Sequence, residues 1–394
     1  MSTLTVTAQV ELLAANVNQL HSRAELAAKL QSGRQLRIKL GFDPTSPDLH
    51  LGHVVVLDKI RQFQDLGHLA VIVVGDYTAR VGDPTGRSKT RPPLAPEKIA
   101  EHAQTYTDQV FKVLRREQTE IRYNGEWFGK LSYADVLRLN SMVSVAQLLE
   151  REDFKQRYTA GTAISLMEFQ YPLMQGYDSV MLKSDAELGG NDQLFNNLVG
   201  RDLQKAHGQE PQIVMVMPIL TGTDGVHKMS KSLGNSIGIT EAPAQMFGKA
   251  MSVSDETMAN WRWLLGANYG LSPSAPEHPM EAKKQLAAAI VRRFHGDEAA
   301  AAAREDFELK FSKKDLNAAD LPEVTVSENP IWLVKLLLEL KVTVSGGDAR
   351  RLIQQGGVKL NGEKLTDPKA TVTISGGEVL QAGKKFFARL RIQN

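Results

Sequence analysis

An alternation of apolar segments near the start of the chain is the feature that most constrains its fold. The segment RQLRIKLGFDP (34–44) has the pattern of a buried strand, and HLAVIVVGDYT (68–78) has that of a second one. Between them, VVVLDKIRQFQDLG (54–67) has the pattern of an amphipathic helix that ends at a glycine. This order and spacing are typical of a parallel α/β sheet with right-handed crossovers. The sequence therefore predicts an α/β fold.

Other segments extend the sheet and add helices. QIVMVMPIL (212–220) predicts a later strand of the same kind, and residues 130–185 are mostly helical in pattern, as expected of an insertion into the sheet. We also expect a helix over 8–32 that ends before Gly33, and further helices over 240–316.

The C-terminal part of the chain has a different pattern. Residues 317–330 have the composition of a linker, and IWLVKLLLELK (331–341) predicts a helix. Short strands follow, and three pairs of turn residues predict hairpins between them: Gly356-Gly357, Asn361-Gly362 and Gly376-Gly377. Residues 331–394 contain 11 Lys/Arg and 5 Asp/Glu, although the net charge of the whole chain is only +2. This basic unit suggests a polyanionic partner, but a solvated charged surface explains the charge equally well.

Composition excludes several kinds of site. The chain has no cysteine, which rules out disulfides, thiolate zinc sites and cysteine nucleophiles, and which fits a reducing cytosol. Its first residues show no basic segment followed by an apolar stretch, and no run approaches the roughly 20 apolar residues of a membrane span. We therefore expect a cytoplasmic protein with no membrane partner.

Two histidines stand at the predicted start of the helix after the first strand. In SPDLHLGHVVV, His50 and His53 are three residues apart and so share a helix face, with Gly52 between them. Helix amino ends attract anions, and glycine lets a flat ring approach the backbone. The pair could therefore donate hydrogen bonds to phosphate, although chance or one buried structural histidine explains an isolated HxxH as well.

A second candidate motif lies far along the chain, in HKMSKSLGN (227–235). It follows the apolar segment 212–220 and a glycine-rich turn, and it places Lys228 and Lys231 beside small hydroxyl residues. Ammonium groups on a loop suit a polyphosphate whose charge redistributes during a reaction. Taken alone, the motif is also explained by a solvated loop.

Together, HLGH and KMSKS resemble the paired motifs of class I aminoacyl-tRNA synthetases. The chain is similar to bacterial tyrosyl-tRNA synthetases over nearly its whole length. The stretches that carry this resemblance are GFDPTSPDLHLGH, GDYTARVGDPTGRSKTR, YPLMQGYDSV, GGNDQLFN, HKMSKS and GDARRLIQQGGVKLNG.

The resemblance implies an architecture of three parts. A Rossmann-like parallel-sheet catalytic domain is expected over 1–235, with a helical insertion at about 125–185 that forms a homodimer. An α-helical anticodon-binding domain is expected over 236–322, and a small α+β domain over 331–394 that resembles an RNA-binding ribosomal protein.

The resemblance also implies a reaction. ATP, as its Mg²⁺ complex, would activate L-tyrosine to the adenylate, and tyrosine would then pass to the 3′ end of tRNA(Tyr). No protein-bound metal or prosthetic group is implied, because positioning two anions and neutralising their charge should suffice. The residues expected to act on the phosphates are His50, His53, Thr45, Lys228, Lys231, Arg87 and Arg91. The residues expected to complete the ATP site are Gly52, Asp192, Asp43, Met229, Ser230 and Ser232.

YPLMQGYD is the most informative stretch for amino-acid specificity. On a helix, Tyr171, Gln175 and Asp178 fall on one face, although an amphipathic helix with a capping acid would look similar. By resemblance, Asp178 accepts the phenol hydrogen, and the other two hold the substrate ammonium. The other residues expected to bind tyrosine are Thr78, Asp83, Gln193 and Lys39.

Lys39 departs from many relatives, which have a second tyrosine at this position. We expect Lys39 to pair with Asp178 or a neighbouring acid and to keep that acid ionised.

The RNA-contacting residues implied for the last domain are Arg350, Arg351, Lys359 and Lys364. Some of these cations could instead form surface ion pairs with Asp348 or Glu363. Three other functions remain open: a tryptophanyl enzyme of the same fold, a catalytically silent RNA-binding relative, and a small-molecule nucleotidyltransferase. The YPLMQGYD stretch and the RNA-binding unit argue against the first. Intact motifs argue against the second, and two RNA-binding appendages argue against the third.

Overall fold

A six-stranded sheet forms the centre of the N-terminal part of the chain. The computed structural model describes residues 4–44, 48–84, 96–272, 278–313, 321–383 and 386–392, which divide into the units Met1–Ala300 and Ala301–Asn394. The strands of the first unit are β1 (Gln19–His21), β2 (Arg37–Phe42), β3 (Leu69–Val74), β4 (Thr119–Tyr123), β5 (Ala186–Gly190) and β6 (Ile213–Met217). Strands β2 to β6 are parallel, which confirms the prediction from the opening strand–helix–strand pattern.

The order of the strands defines a point where ligands bind. The sheet runs β1-β6-β5-β2-β3-β4, so the chain proceeds from β2 outward to β4 and then returns to the other side of β2 as β5. The connections that leave β2 and β5 therefore diverge, which opens a crevice at their carboxyl ends. Both predicted phosphate-binding histidines follow β2 and lie at this crevice.

Ten α-helices precede β6 in the described part of the first unit. They are α1 (Val6–Ala14), α2 (Arg23–Gln31), α3 (Leu51–Asp65), α4 (Pro96–Val110), α5 (Gly125–Phe128), α6 (Tyr133–Asn140), α7 (Val145–Leu148), α8 (Glu152–Thr159), α9 (Leu166–Leu182) and α10 (Leu194–Ala206). Helices α5 to α9 form the expected insertion between β4 and β5. Helix α9 lies so close to α10 that a Cβ on Gly176 would be 3.1 Å from the backbone nitrogen of Gly200.

The prediction of one helix over 8–32 is wrong. Helix α1 ends at Ala14, Asn16 has a left-handed backbone with φ of 55°, and β1 then pairs with the edge of β6. Helix α2 begins afresh after Ser22, whose side chain accepts the N–H of Glu25 at 3.3 Å. The helix does end before Gly33, whose φ of 69° suits glycine.

Three α-helices follow the sheet within the described residues of 240–316, as predicted. They are α11 (Pro243–Met251), α12 (Asp255–Leu265) and α13 (Pro279–Phe307), and the last is kinked at Gly296, where φ is 87°. No helix in the described residues is both long and apolar enough to span a membrane.

The second unit is a small α+β structure. Its helices are α14 (Leu333–Glu339) and α15 (Gly346–Gln354), and its strands are β7 (Glu323–Val326), β8 (Ile331–Trp332), β9 (Val358–Leu360), β10 (Glu363–Leu365), β11 (Thr371–Val372), β12 (Val379–Ala382) and β13 (Phe386–Ile392). Both helices pack their apolar faces on the core, which includes Leu336, Leu337 and Ile353.

Two sequence predictions for this unit differ from the structure. Residues 317–330 were expected to be a linker, yet they contain β7, which pairs with β13. Of the three glycine-containing turns, only Asn361-Gly362 joins the two strands of a hairpin, β9 and β10. Gly356-Gly357 instead follows helix α15, and Gly376-Gly377 connects strands that do not pair with each other.

Candidate active site

A cavity of about 440 Å³ lies at the crevice between β2 and β5. Its wall combines the carboxyl ends of the strands, the first turn of α3, the inner face of α9 and the loop after β6. Residues that are distant in sequence, from Leu40 to Ser230, therefore meet around one space. The predicted site residues that line this cavity are Asp43, His50, Gly52, His53, Thr78, Asp83, Tyr171, Gln175, Asp178, Asp192, Gln193, Lys228, Met229 and Ser230.

The remaining predicted residues of this site fall into two groups. Thr45, Arg87 and Arg91 lie outside the described residues. Lys39, Lys231 and Ser232 are described but are not part of the cavity wall. Lys231 and Ser232 belong to the exposed loop beside the cavity, whereas Lys39 is completely buried behind it.

The two histidines form the start of helix α3, as predicted. Their rings stack with centroids 3.8 Å apart, and the backbone N–H of His50 donates to Nδ1 of His53 at 3.2 Å. Since this Nδ1 accepts a hydrogen bond, a neutral His53 carries its proton on Nε2. Burial, with a smaller contribution from Lys231, lowers the pKa of His50 to about 4, and burial lowers the pKa of His53 well below its usual value. Both rings are therefore neutral near pH 7.

The lysine loop is held beside the histidines by acidic partners. Lys228 Nζ lies 3.6 Å from Asp192, and Lys231 forms an ion pair with Asp48 in the segment before α3. Asp48 also accepts a hydrogen bond from Gln109 at 2.9 Å, and the bond from Lys231 lowers its pKa. The loop therefore presents cations to the same end of the cavity as the histidines.

Two carboxylates occupy the middle of the cavity wall. Asp43 accepts hydrogen bonds from Thr78 Oγ1 at 2.7 Å and from the Tyr171 hydroxyl at 2.9 Å. Asp83 accepts from Gln193 Nε2 at 2.9 Å, and Arg151 lies 3.1 Å away from it. Acceptors grouped in this way suit a ligand that carries an ammonium group and hydroxyls.

A buried acid forms the far end of the cavity. Asp178 is only 3% exposed and accepts hydrogen bonds from Trp127 Nε1 at 2.9 Å and from Asn124 Nδ2 at 3.4 Å. Burial raises the pKa of Asp178 to about 7, against the opposing effects of the Lys39 charge and these two bonds. The sequence analysis missed Asn124 and Trp127, although NGEW (124–127) directly follows a strand end, where ligand-binding residues cluster in such sheets.

Lys39 has an acidic partner, but the partner is not Asp178. Its Nζ lies 2.9 Å from Glu187 on β5, the neighbouring strand. We expected Lys39 to pair with Asp178 or a neighbouring acid, and the acid with which it pairs is the neighbouring one, Glu187.

The four predicted RNA-contacting residues lie on the second unit. Arg351 pairs with Asp348, as one of the alternatives expected, while the Arg350 guanidinium lies 5.7 Å from the centre of the Trp332 ring. Lys359 and Lys364 face each other directly across the antiparallel β9–β10 pair. Like charges in this arrangement repel each other unless an anion lies between them.

Comparisons with known proteins identify the family of the chain. The family model of class I tRNA synthetases (W and Y) matches residues 31–312, and that of the tyrosine–tRNA ligase SYY-like C-terminal domain matches residues 314–388. The tyrosine–tRNA ligase of Moorella thermoacetica is 49% identical over 98% of this chain and 96% of its own length. That of Aquifex aeolicus is 48% identical over 97% of this chain and 98% of its own. The chain belongs to the tyrosine–tRNA ligases.

Solved structures share the fold of this chain. The tyrosyl-tRNA synthetase of Archaeoglobus fulgidus, complexed with L-tyrosine, has a TM-score of 0.62 at 21% identity and covers 76% of this chain and 100% of its own. A C-terminally truncated mitochondrial tyrosyl-tRNA synthetase of Aspergillus nidulans has a TM-score of 0.61 at 21% identity. The match covers 78% of this chain and 94% of the other. At such identities the likeness shows the fold alone.

Family membership decides between the functions left open by the sequence. Relatives at this identity are aminoacyl-tRNA synthetases that act on tyrosine, and the C-terminal match is to a tyrosine–tRNA ligase domain. The tryptophanyl and nucleotidyltransferase alternatives are therefore set aside. Within the described residues, no group of three or more histidines and acids is placed to hold a metal ion.

Proposed function

We propose that the cavity joins the carboxylate of L-tyrosine to the α-phosphate of ATP and then transfers tyrosine to tRNA(Tyr). The observation that supports this most strongly is the polarity of one continuous cavity. The buried acid Asp178 lines one part of its wall, the acceptors Asp43 and Asp83 line a second, and both histidines and Lys228 line a third, with Lys231 on the loop beside it. These groups are complementary to a phenol, an amino acid and a polyphosphate in turn.

The histidines and lysines act on ATP in this proposal. A carboxylate oxygen of tyrosine attacks the α-phosphorus, the bond to the β-phosphate breaks, and pyrophosphate leaves with the Mg²⁺ that ATP brought in. Nε2–H of His53 and the ammonium groups of Lys228 and Lys231 stabilise the charge that develops on the phosphates. Gly52, Met229, Ser230, Ser232, Asp192 and Asp43 complete the ATP site, and Thr45, Arg87 and Arg91 join it from the parts of the chain outside the described residues.

The other half of the cavity holds tyrosine. Asp178 accepts the phenol hydrogen, and Tyr171, Gln175 and Asp83 surround the α-ammonium. Gln193 contacts the reacting carboxyl, and Thr78 lies on the same loop as Asp83. The selectivity follows from burial, because a phenylalanine ring would leave the Asp178 carboxyl facing an apolar edge without a donor.

We expect amino-acid-dependent exchange between ATP and pyrophosphate with tyrosine, and none with phenylalanine or tryptophan. The assay needs magnesium but no tRNA, because only the first half of the reaction is measured. Exchange with tryptophan alone, or no exchange by folded protein with any of the three, would contradict the proposal.

Replacing His53 by alanine should slow tyrosine-dependent exchange by about 10²- to 10³-fold, since it removes one aligned donor to the transition state. The dissociation constant of tyrosine should stay unchanged, because His53 acts at the phosphate end. A matched control is His207→Ala, because the His207 ring forms a hydrogen bond with the backbone carbonyl of Leu203 near the carboxyl end of α10. A His53→Ala enzyme with full exchange activity, or with weakened tyrosine binding only, would count against this role.

Tyrosine binding should strengthen as the pH rises through about 7, with a midpoint set by Asp178. An ionised carboxylate accepts the phenol hydrogen more strongly than a protonated one, and His50, with its pKa near 4, stays neutral over this range. Trp127→Phe removes a donor to the carboxylate and should move the midpoint to higher pH, whereas Trp263→Phe, at an exposed side chain, should not. Equilibrium titrations from about pH 6 to about pH 8 measure this. An affinity that is constant over that interval would refute the assignment.

A homodimer formed through the insertion is part of the proposal. Large apolar side chains are exposed on α6 to α9, and a free surface of this kind marks an interface. They are Tyr133, Leu137, Val145, Tyr158, Leu166 and Met167, with Leu166 80% exposed.

The double variant Leu137→Glu/Leu166→Glu should therefore sediment as a monomer where the unmodified chain sediments as a dimer. Val344→Glu is the matched control, because Val344 is equally apolar and 97% exposed but lies in the second unit. Dimers in both variants would show that the interface lies elsewhere.

We propose that the second unit binds tRNA and that the helices α11 to α13 contact the anticodon part of the tRNA. We also propose that the enzyme is cytoplasmic. The domain limits 1–235, 236–322 and 331–394 remain part of this proposal. The support for RNA binding is the pair Lys359 and Lys364, whose mutual repulsion a phosphate would relieve.

Exchanging both lysines for glutamine should weaken tRNA binding and reduce its salt dependence. The slope of log affinity against log salt should fall by about 0.7 to 0.9 for each phosphate that the variant no longer neutralises. Lys335→Gln is the control, because Lys335 already pairs with Glu328 on the same unit. An unchanged slope in the double variant would place the RNA elsewhere.

A further inference from the structure

A polar cluster lies directly behind the wall of the cavity. Lys39 on β2 and Glu187 on β5 are 0% and 1% exposed, and their Nζ and Oε1 atoms are 2.9 Å apart. The two strands are the neighbours between which the crevice opens. Neither side chain is part of the cavity wall among the described residues, so a direct contact with a ligand is not their role.

The cluster joins both strands to helix α9. Lys39 Nζ donates to the backbone carbonyl of Gln175 and to Ser179 Oγ, each at 2.8 Å. With Glu187 as the third partner, all three of its donors are used. Glu187 in turn accepts hydrogen bonds from Ser179 Oγ at 3.0 Å and from Gln212 Nε2. A buried ion pair with this many partners is costly to assemble, which calls for a reason beyond stability.

The reason lies in the side chain of Gln175, which does line the cavity. Its Nε2 donates to Glu187 Oε1 at 3.2 Å, while its Oε1 accepts from Asn196 Nδ2 at 2.8 Å. Asn196 Oδ1 in turn accepts from Arg151 Nη1 at 3.2 Å. A guanidinium only donates and a carboxylate only accepts, so the two ends of this chain of bonds fix the direction of every amide between them.

We propose that Glu187, held by Lys39, is a positioning residue that keeps the Gln175 amide oxygen directed to the α-ammonium of bound tyrosine. The inference rests on the proposed function, because it needs Gln175 at the ammonium. The Gln175 oxygen has a second lone pair, which remains for the ligand after Asn196 has used one. A reversed amide would place its NH₂ group against the ammonium, with donors facing donors.

A second role for the pair would give a different result. Lys39 also acts on Asp178 through its charge, since it counters the effect of burial on the pKa of that acid. If this were its main action, the pair would control the contact with the phenol rather than the contact with the ammonium. Ligands that lack one of these groups separate the two roles.

The test uses the full chain with the double variant Lys39→Met/Glu187→Gln. Removing both charges together avoids leaving a buried unpaired charge, which could unfold either single variant. The control is Asp58→Asn/Arg293→Met, which removes another ion pair, in which a buried acid on α3 contacts a partly buried arginine on α13. Dissociation constants are measured for tyrosine, for tyramine and for 3-(4-hydroxyphenyl)propionate, which has the phenol but no ammonium.

We expect the double variant to bind tyrosine and tyramine about tenfold to a hundredfold more weakly, and to bind the phenol without an ammonium as the unmodified chain does. The control should bind all three ligands normally. Equal weakening of the binding of all three ligands in the double variant would overturn the inference and favour an action through Asp178. Unchanged affinities for all three ligands would also overturn the inference. Failure of the unmodified chain to bind tyrosine would overturn the proposed function itself, and the inference with it.

Discussion

The return of the chain from β4 to β5, on the other side of β2, is the constraint on which the rest of the structure depends. Because β5 pairs with the open side of β2, the segments that leave these two strands must diverge. The segment after β2 carries Asp43 and leads into the histidines, and the segment after β5 carries Asp192 and Gln193. The connection that achieves the return ends in helix α9, which supplies Tyr171, Gln175 and Asp178 to the cavity wall. One topological feature thus brings the histidines, the carboxylates and the inner face of α9 to one cavity.

Beside the histidines, the uncharged hydrogen-bonding groups and the positively charged groups are different side chains. Burial keeps His50 and His53 neutral, while the positive charge beside them is carried by Lys228 and Lys231 on a more exposed loop. Those lysines lie against Asp192 and Asp48, so in the proposed reaction a phosphate competes with a carboxylate for their donors. Contacts of this kind favour the state in which phosphate charge is greatest, and they therefore act on rate more than on ground-state affinity.

The sequence predicts those parts of the structure that have a local pattern. Continuous apolar segments identify β2, β3 and β6, and the spacing of Tyr171, Gln175 and Asp178 identifies the inner face of α9. The helix expected over 8–32 fails because β1 is stabilised by pairing with β6, about 200 residues away, which no local periodicity reports. Asn124, Trp127 and Glu187 were missed for a related reason. Polar side chains that support a site look like surface residues until the fold shows that they are buried. Glu187 offered one indication, since it lies in AELGG, a segment that is otherwise apolar or small.

The burial of these supporting groups explains how the cavity distinguishes ligands. Around Asp178 and Gln175, nearly every donor and acceptor already has a protein partner: Trp127 and Asn124 for the acid, Glu187 and Asn196 for the amide. An ionised Asp178 retains about two acceptor sites and the Gln175 oxygen retains about one, and both residues line the cavity. A ligand with a donor in both places completes the network, whereas a ligand that lacks one leaves a buried acceptor unpaired. Because an unpaired buried polar group costs about 1 to 3 kcal/mol, selectivity arises mainly from the penalty on the wrong ligand. That penalty exists only while the supporting residues prevent the acid and the amide from turning to other partners.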